Sequence, residues 1–223
     1  MSEVYQSPKI PKNPEPSEYS DVMRSSTPTK NGWASLMMRP PNAVVNILDK
    51  DEKILMIIRS HPITQLNWIL IAIFLILVPL LVPFIPLPSF LLPRFEAATV
   101  VLWYMLVTSV IIDGFLGWYY NIFCITDERI IDFDFIHLVY KNITATKIDN
   151  IEDVTFSVSG FLPSVLNYGN VLIQTAGEVI VIKPDQTSPA IEMRNAPQPA
   201  RVAKLINELM LQEEQEKIEG RTH

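Results

Sequence analysis

A membrane α-hairpin followed by a small, mainly β barrel or sandwich, closed by a C-terminal amphipathic helix, is the fold class expected of this chain. Three features lead there. No Lys, Arg, Asp or Glu occurs between Arg59 and Arg94, short runs rich in Ile, Val, Phe and Tyr follow Tyr119, and an apolar stripe at helical spacing follows Pro199. Of the 223 residues, 48% are hydrophobic and only 19% are charged, against about a quarter charged in an ordinary soluble protein. The deficit is local to the uncharged stretch.

Residues 1–42 hold seven of the eighteen prolines, with Ser, Thr, Lys and Glu scattered between them. Such a composition offers too little apolar surface to offset the entropy of ordering, and the segment reads as a disordered tail. The first long apolar run begins after residue 60, so no N-terminal signal peptide is expected and the first membrane helix would itself direct targeting. Residues 43–65 form a juxtamembrane segment with apolar clusters split by a charged turn, which either packs on the soluble domain or lies along the membrane surface.

Leu66 to Ile85 supplies about 20 apolar-rich residues, enough to cross a hydrocarbon core of about 30 Å. Pro79 and Pro83 should kink its outer half, since each removes a helical hydrogen bond. Pro86, Pro88 and Pro93 make a short, stiff loop before a second span from Ala97 to Tyr119, giving a hairpin over 66–119. Lys50, Lys53 and Arg59 precede the first span and Arg129 follows the second, whereas the intervening loop has Arg94 alone. The positive-inside rule then puts the chain in the cell membrane with both termini cytoplasmic. Trp68 at one end, with Trp118, Tyr119 and Tyr120 at the other, forms an aromatic belt on the cytoplasmic face.

Asp113 lies about 24 Å of helix from the outer end of the second span. An intramembrane carboxylate suggests a proton or ion site. An antiparallel hairpin instead brings it level with His61, Gln65 and Asn67, and a hydrogen-bonded interfacial acid is the reading preferred here.

The β signals come in order: Tyr119–Thr126, Arg129–Ile136, Val139–Lys147, Val154–Ser159, Gly169–Thr175 and Glu178–Lys183, with a seventh around Ala190–Arg194. Turn signals such as Thr126-Asp127-Glu128 and Ala176-Gly177 separate them. Regularly spaced short strands imply a small sandwich or barrel. Val202, Leu205, Ile206, Leu209 and Met210 then follow the i, i+3, i+4, i+7, i+8 pattern of one buried helix face, and the acidic end beyond is solvated. The soluble domain therefore covers 120–217.

Thr126-Asp127-Glu128-Arg129-Ile130-Ile131 resembles the T-x-x-R-hydrophobic opening of the bacterial pleckstrin-homology domain. Lys147-Ile148-Asp149-Asn150-Ile151-Glu152-Asp153-Val154 is similar to its K-I-x-x-I/V-x-x-V strand, and Asn167-Tyr168-Gly169-Asn170-Val171 with Gln174-Thr175-Ala176-Gly177 to its later elements. The resemblance extends over residues 45–215 to the membrane-flanked, YdbS-like members, which place such a domain after a pair of membrane helices. It implies a pleckstrin-homology-like fold with Thr126, Arg129, Ile148, Gly169, Thr175 and Gly177 as its signature. Physically, Gly169 and Gly177 would supply turn conformations at no steric cost.

Chemistry-bearing patterns are sparse. There is no H-x-x-x-H, Gly-rich phosphate loop or nucleophile elbow, and Asp132 and Asp134 alternate with apolar residues as a solvent-facing strand edge would. Cys124 is the only cysteine, which excludes an intrachain disulfide and a cysteine-based metal site. No catalysis, metal or cofactor is expected. Residues 121–223 carry nine basic and fifteen acidic side chains, so no nucleic-acid partner is expected. Eukaryotic pleckstrin-homology domains that bind inositol phosphates carry several Lys and Arg in the first hairpin loops, whereas Asp127-Glu128-Arg129 and Phe135-Ile136-His137 are not basic, which argues against phosphoinositide binding. What remains is contact with protein or bilayer, for which Phe161, Leu162, Val165 and Leu166 are the candidates, in an apolar loop that otherwise simply packs. The expected function is a non-enzymatic membrane-anchored module that assembles protein partners at the inner leaflet; a lipid-sensing or lipid-handling accessory is the alternative.

Overall fold

The computed structural model describes residues 20–40, 52–81, 96–136, 140–176 and 190–218. In chain order these form α1 (Asp21–Arg24), β1 (Leu36–Met38), β2 (Ile54–Arg59), α2 (Leu66–Leu81), α3 (Glu96–Tyr120), β3 (Ile122–Thr126), β4 (Arg129–Ile136), β5 (Tyr140–Lys147), β6 (Ile151–Ser157), α4 (Phe161–Leu166), β7 (Tyr168–Thr175), β8 (Ala190–Pro197) and α5 (Pro199–Ile218). A 3₁₀ turn at Pro62–Gln65 leads into α2. Strands β1 to β5 pair in sequence order as one antiparallel sheet, and β6 to β8 as a second.

The register decides how the helical hairpin is attached. Arg59, the last residue of β2, pairs directly with Ile122, the first of β3. Helices α2 and α3 are therefore an insertion at a hairpin turn, leaving and re-entering the sheet at neighbouring positions. The expected contiguous domain over 120–217 is corrected: β1 and β2, which precede the helices in sequence, are part of the same sheet as β3. The tail expected over 1–42 is also corrected for residues 20–40. Val22 and Met23 of α1 and Met37 and Met38 of β1 are buried, and the Ser20 hydroxyl is hydrogen-bonded to the Glu208 carboxylate on α5. Two short apolar clusters in a Pro-rich segment suffice because β2 offers an open edge and the core an open side. Residues 1–19 lie outside the described residues, as do Pro83, Pro86, Pro88, Pro93, Gly177 and the strand expected over Glu178–Lys183.

The main core lies between the sheets and under α5. Met56 and Ile58 of β2, Ile125, Ile130, Val171, Ile173 and Met193 meet Val202, Leu205, Ile206 and Leu209 of α5 there. Strand alternation sends the next residues to the opposite face of the five-stranded sheet. Met37, Ile57, Cys124 and Ile131 form a row across it by direct pairing and are buried with Phe133 in a second cluster. The first sheet is thus apolar on both faces. Asp132 and Asp134 are half-buried on the Ile130 side of β4 and not on a fully solvated edge.

Helices α2, with its preceding turn, and α3 are each long and apolar enough to cross a membrane. Only 6% of each apolar window is buried within the molecule. They touch along a narrow seam that buries Ala72 and Val107, and the Trp68 ring lies so close to Gly114 that a Cβ there would come within 2.9 Å of it. Pro79 sits inside α2 and cannot donate to the carbonyl four residues back, that of Leu75. The Trp103 indole N–H on α3 donates to that Leu75 oxygen at 2.9 Å. The carbonyl freed by Pro79 is thus satisfied from the neighbouring helix. Trp103→Phe keeps an aromatic ring, though a smaller one, and removes the donor, and is expected to cost about 1–3 kcal/mol of hairpin stability. The check is thermal unfolding of the detergent-solubilised chain, with Trp103→Phe in a Pro79→Ala background, where the loss should shrink.

Candidate functional site

The strand ends gather at the base of the helical hairpin. Arg59 reaches across it: Nε donates to Tyr119 O at 3.0 Å, and one terminal nitrogen donates to Gly32 O at 2.7 Å and Ala34 O at 3.4 Å. Its guanidinium carbon also lies 4.6 Å from the Tyr119 ring centroid, a cation–π distance. Burial lowers the Arg59 pKa, partly opposed by the charge interaction with Tyr119. One side chain therefore ties β2, the end of α3 and the N-terminal segment together.

Around it stands an aromatic cluster. Trp33 lies 5.4 Å from Tyr119 and 5.9 Å from Phe115, Phe115 stacks on Tyr119 at 5.9 Å, and Tyr120 meets Tyr119 edge-on at 5.2 Å. The Trp118 indole donates to Ser60 O at 2.9 Å, and the Trp68 indole donates to Gln65 Oε1 at 2.7 Å. Trp68, Trp118, Tyr119 and Tyr120 are thus brought to one level, the domain-side ends of α2 and α3. Asp113 lies half-buried on α3 about two turns before its end. Gln65, one of its three expected partners, has its carbonyl engaged by Trp68 and its amide by Thr64.

His61 joins this base to the second sheet. Its backbone N–H donates to Asn195 O at 2.8 Å, its Nδ1 accepts from the Ile63 N–H at 3.3 Å, and its ring stacks on Tyr168 at 5.0 Å. Burial lowers the His61 pKa. Because the folded chain resists protonating His61, the unfolded chain takes up more protons as pH falls below about 6.5, and stability falls with it. Unfolding temperatures measured between pH 7.5 and 5.5 should decline, and His61→Phe, which keeps the stack and removes the proton, should flatten that part of the slope.

Next to this contact is α4. Gly160 starts it with φ +107°, a conformation costly for other residues, and Asn167 ends it in the left-handed region. The loop expected over 159–169 is a short helix, and plain packing, the reading preferred for it from sequence, is corrected. Phe161 is 81% exposed, Leu162 58%, Val165 64% and Leu166 38%. A single turn and a half cannot turn all four inward when it stands beyond the end of its sheet.

At the opposite end of the strands is the Thr126–Arg129 pair. Arg129 donates to both oxygens of Glu52, from Nε at 2.9 Å and from a terminal nitrogen at 2.7 Å. The Thr126 hydroxyl lies 2.6 Å from Glu52 Oε1, and also accepts from the Arg129 N–H at 2.9 Å. The Glu52 side chain is fully buried and that of Arg129 is 23% exposed. Nearby, burial and the charge of Glu52 push the Cys124 thiol up to about 12, and burial raises the Asp127 carboxyl although its oxygen accepts from the Lys53 N–H at 2.9 Å. The pair is a structural clamp between the start of β2 and the β3–β4 turn. Ile148 and Thr175 are likewise buried in the domain interior.

Gly169 is needed for a reason other than the expected turn. Its position lies in β7, where a Cβ would come within 2.3 Å of Ser157 O on β6.

Glu52 and Trp33 carry no assigned role in the sequence, His61 enters there only as a partner for Asp113, Tyr168 only within the family resemblance, and Arg59 only as a membrane-flanking charge. A tryptophan in an otherwise polar tail was the one available signal. No group of three or more His, Cys, Asp or Glu able to hold a metal occurs among the described residues. Compared with protein-family models, curated proteins and solved structures, the chain matches none.

Proposed function

We propose that this chain is a membrane protein of two spans, that α2 and α3 anchor the two-sheet domain at the inner leaflet with both termini cytoplasmic, and that the domain acts by binding protein partners and not by catalysis. The observation that carries the reading is the splice of an outwardly apolar hairpin between paired residues Arg59 and Ile122. A helix apolar on all sides and uncovered by its own protein has its natural solvent in lipid. With no flexible linker at the splice, whatever the domain binds is held at a fixed height and angle to the bilayer. Two antiparallel sheets closed by a C-terminal helix are compatible with a pleckstrin-homology-like domain, and the T-x-x-R and G-x-V elements favour the bacterial, YdbS-like branch. A groove of about 420 Å³ lies between α5 and the start of β6, lined by Ile148, Ile151, Met210, Glu213 and Glu214 and by the ion-paired Lys217 and Asp149, and is the concave surface to which this reading assigns a partner.

The test is affinity purification of the full chain from mild-detergent membranes, with the isolated hairpin as control. A protein recovered near stoichiometrically with the full chain, and absent with the hairpin, supports the reading. Recovery of lipid alone supports the second reading, a lipid-sensing or lipid-handling accessory, which the exposed apolar surface of α4 favours.

A further inference from the structure

We propose that α4 inserts into the interfacial layer of the leaflet from which α2 and α3 emerge, so that the domain is attached to the bilayer at two separate places. The inference rests on the reading of α2 and α3 as membrane spans.

The topology puts α4 at the required end. Ser157 ends β6 and Tyr168 begins β7, so α4 is the connection at that end of the second sheet. Tyr168 stacks on His61, the residue that caps the turn into α2, at 5.0 Å. The Asn195 carbonyl of β8 accepts from the same His61 backbone, and the Asn167 carbonyl, at the end of α4, accepts from the Gln198 N–H just before α5. Helix α4 therefore starts from the level of the aromatic cluster at the hairpin base.

Its chemistry fits a lipid interface better than water or an acidic or basic partner. Residues 159–170 contain no charged side chain, and the four large apolar residues of α4 are exposed. Phe156 and Val158, at the adjoining end of β6, extend the patch. Contiguous exposed apolar surface on a domain already tethered to a bilayer is covered most simply by that bilayer.

The test uses the full chain reconstituted in phosphatidylcholine proteoliposomes, with one environment-sensitive thiol fluorophore per variant. Cys124 is fully buried with its thiol pushed up to about 12, so it does not compete for label. Labels go at Leu162→Cys on α4, Glu152→Cys at the far end of β6 and Leu106→Cys on α3, each read by aqueous iodide and by nitroxide-bearing lipid. The expected result is lipid quenching at positions 106 and 162, with iodide quenching several-fold weaker at both than at 152. Adding Phe161→Ser and Val165→Ser should return position 162 to iodide access while leaving 106 unchanged. Lipid quenching at 106 with full iodide access at 162 overturns the insertion of α4 and leaves the hairpin reading intact. Protection of 162 from iodide without lipid quenching also overturns it, and assigns the patch to a second copy of the chain. Absence of lipid quenching at 106 overturns the membrane reading and this inference together.

Discussion

Gly169→Ala is expected to be among the most damaging single substitutions in the domain, with a loss of about 3 kcal/mol or more. The added methyl would sit 2.3 Å from the Ser157 carbonyl oxygen. The obstacle is backbone, so no side-chain rotation relieves it, and β6 and β7 must separate where six register pairs join them. Gly117→Ala is the matched control, because a Cβ there meets nothing within 4 Å and alanine is the better helix former. Thermal unfolding followed by near-ultraviolet circular dichroism should fall by roughly 10 °C or more for Gly169→Ala and stay level or rise for Gly117→Ala. Equal behaviour of the two would remove the close-approach explanation.

Arg129→Ala is the second large effect. It removes the two-pronged cation from the Glu52 carboxylate, whose side chain is fully buried and also lies against the Thr126 hydroxyl. Removing one member of a buried ion pair costs about 3–5 kcal/mol, whereas replacing both by apolar residues of similar size is often neutral. The expected order is therefore Arg129→Ala least stable, Arg129→Lys intermediate because the charge stays but the two-pronged geometry is lost, and Glu52→Met with Arg129→Met close to the parent. A double variant no better than Arg129→Ala would contradict the clamp. The two predictions act at opposite ends of the strands, so their effects should add.

The parts of the fold that were legible in the sequence are those whose signal is local. Strand β4 runs from Arg129 to Ile136, the bounds set by the Thr126-Asp127-Glu128 turn and the alternation after it. The stripe of Val202, Leu205, Ile206 and Leu209 on α5 is the buried face. Helix α3 follows from a long apolar run interrupted by a single charge, Asp113, after Glu96. What stayed hidden depends on partners distant in sequence. Met37 and Met38 lie in a Pro-rich segment, and only the free edge of β2 makes them a strand. Ile54–Arg59 sits between a charged turn and a membrane-like run, and its neighbour β3 lies beyond the whole hairpin. Glu52 is one acid among Asp49, Asp51 and Glu52, and nothing local distinguishes it from the other two. The Gly160 and Pro163 punctuation around α4 reads as loop because a helix of a turn and a half leaves no periodicity to detect. Helix α2 continues through Pro79, as the apolar run from Leu66 indicates, but nothing local shows that Trp103, on another helix, donates to the carbonyl that Pro79 leaves free.

The central claim is that an apolar, membrane-spanning hairpin is spliced into an otherwise self-sufficient two-sheet domain at a turn between neighbouring strands. It is tested most directly by excising the hairpin, joining Arg59 to Ile122 through Asn-Gly, a dipeptide suited to a two-residue turn between antiparallel strands. The shortened and full-length chains are then compared by flotation with alkali-washed membranes. The account predicts that the full chain floats with the membranes and that the shortened chain stays in the soluble fraction and unfolds cooperatively. A full chain released by the alkaline wash, or a shortened chain that is unfolded, would contradict it.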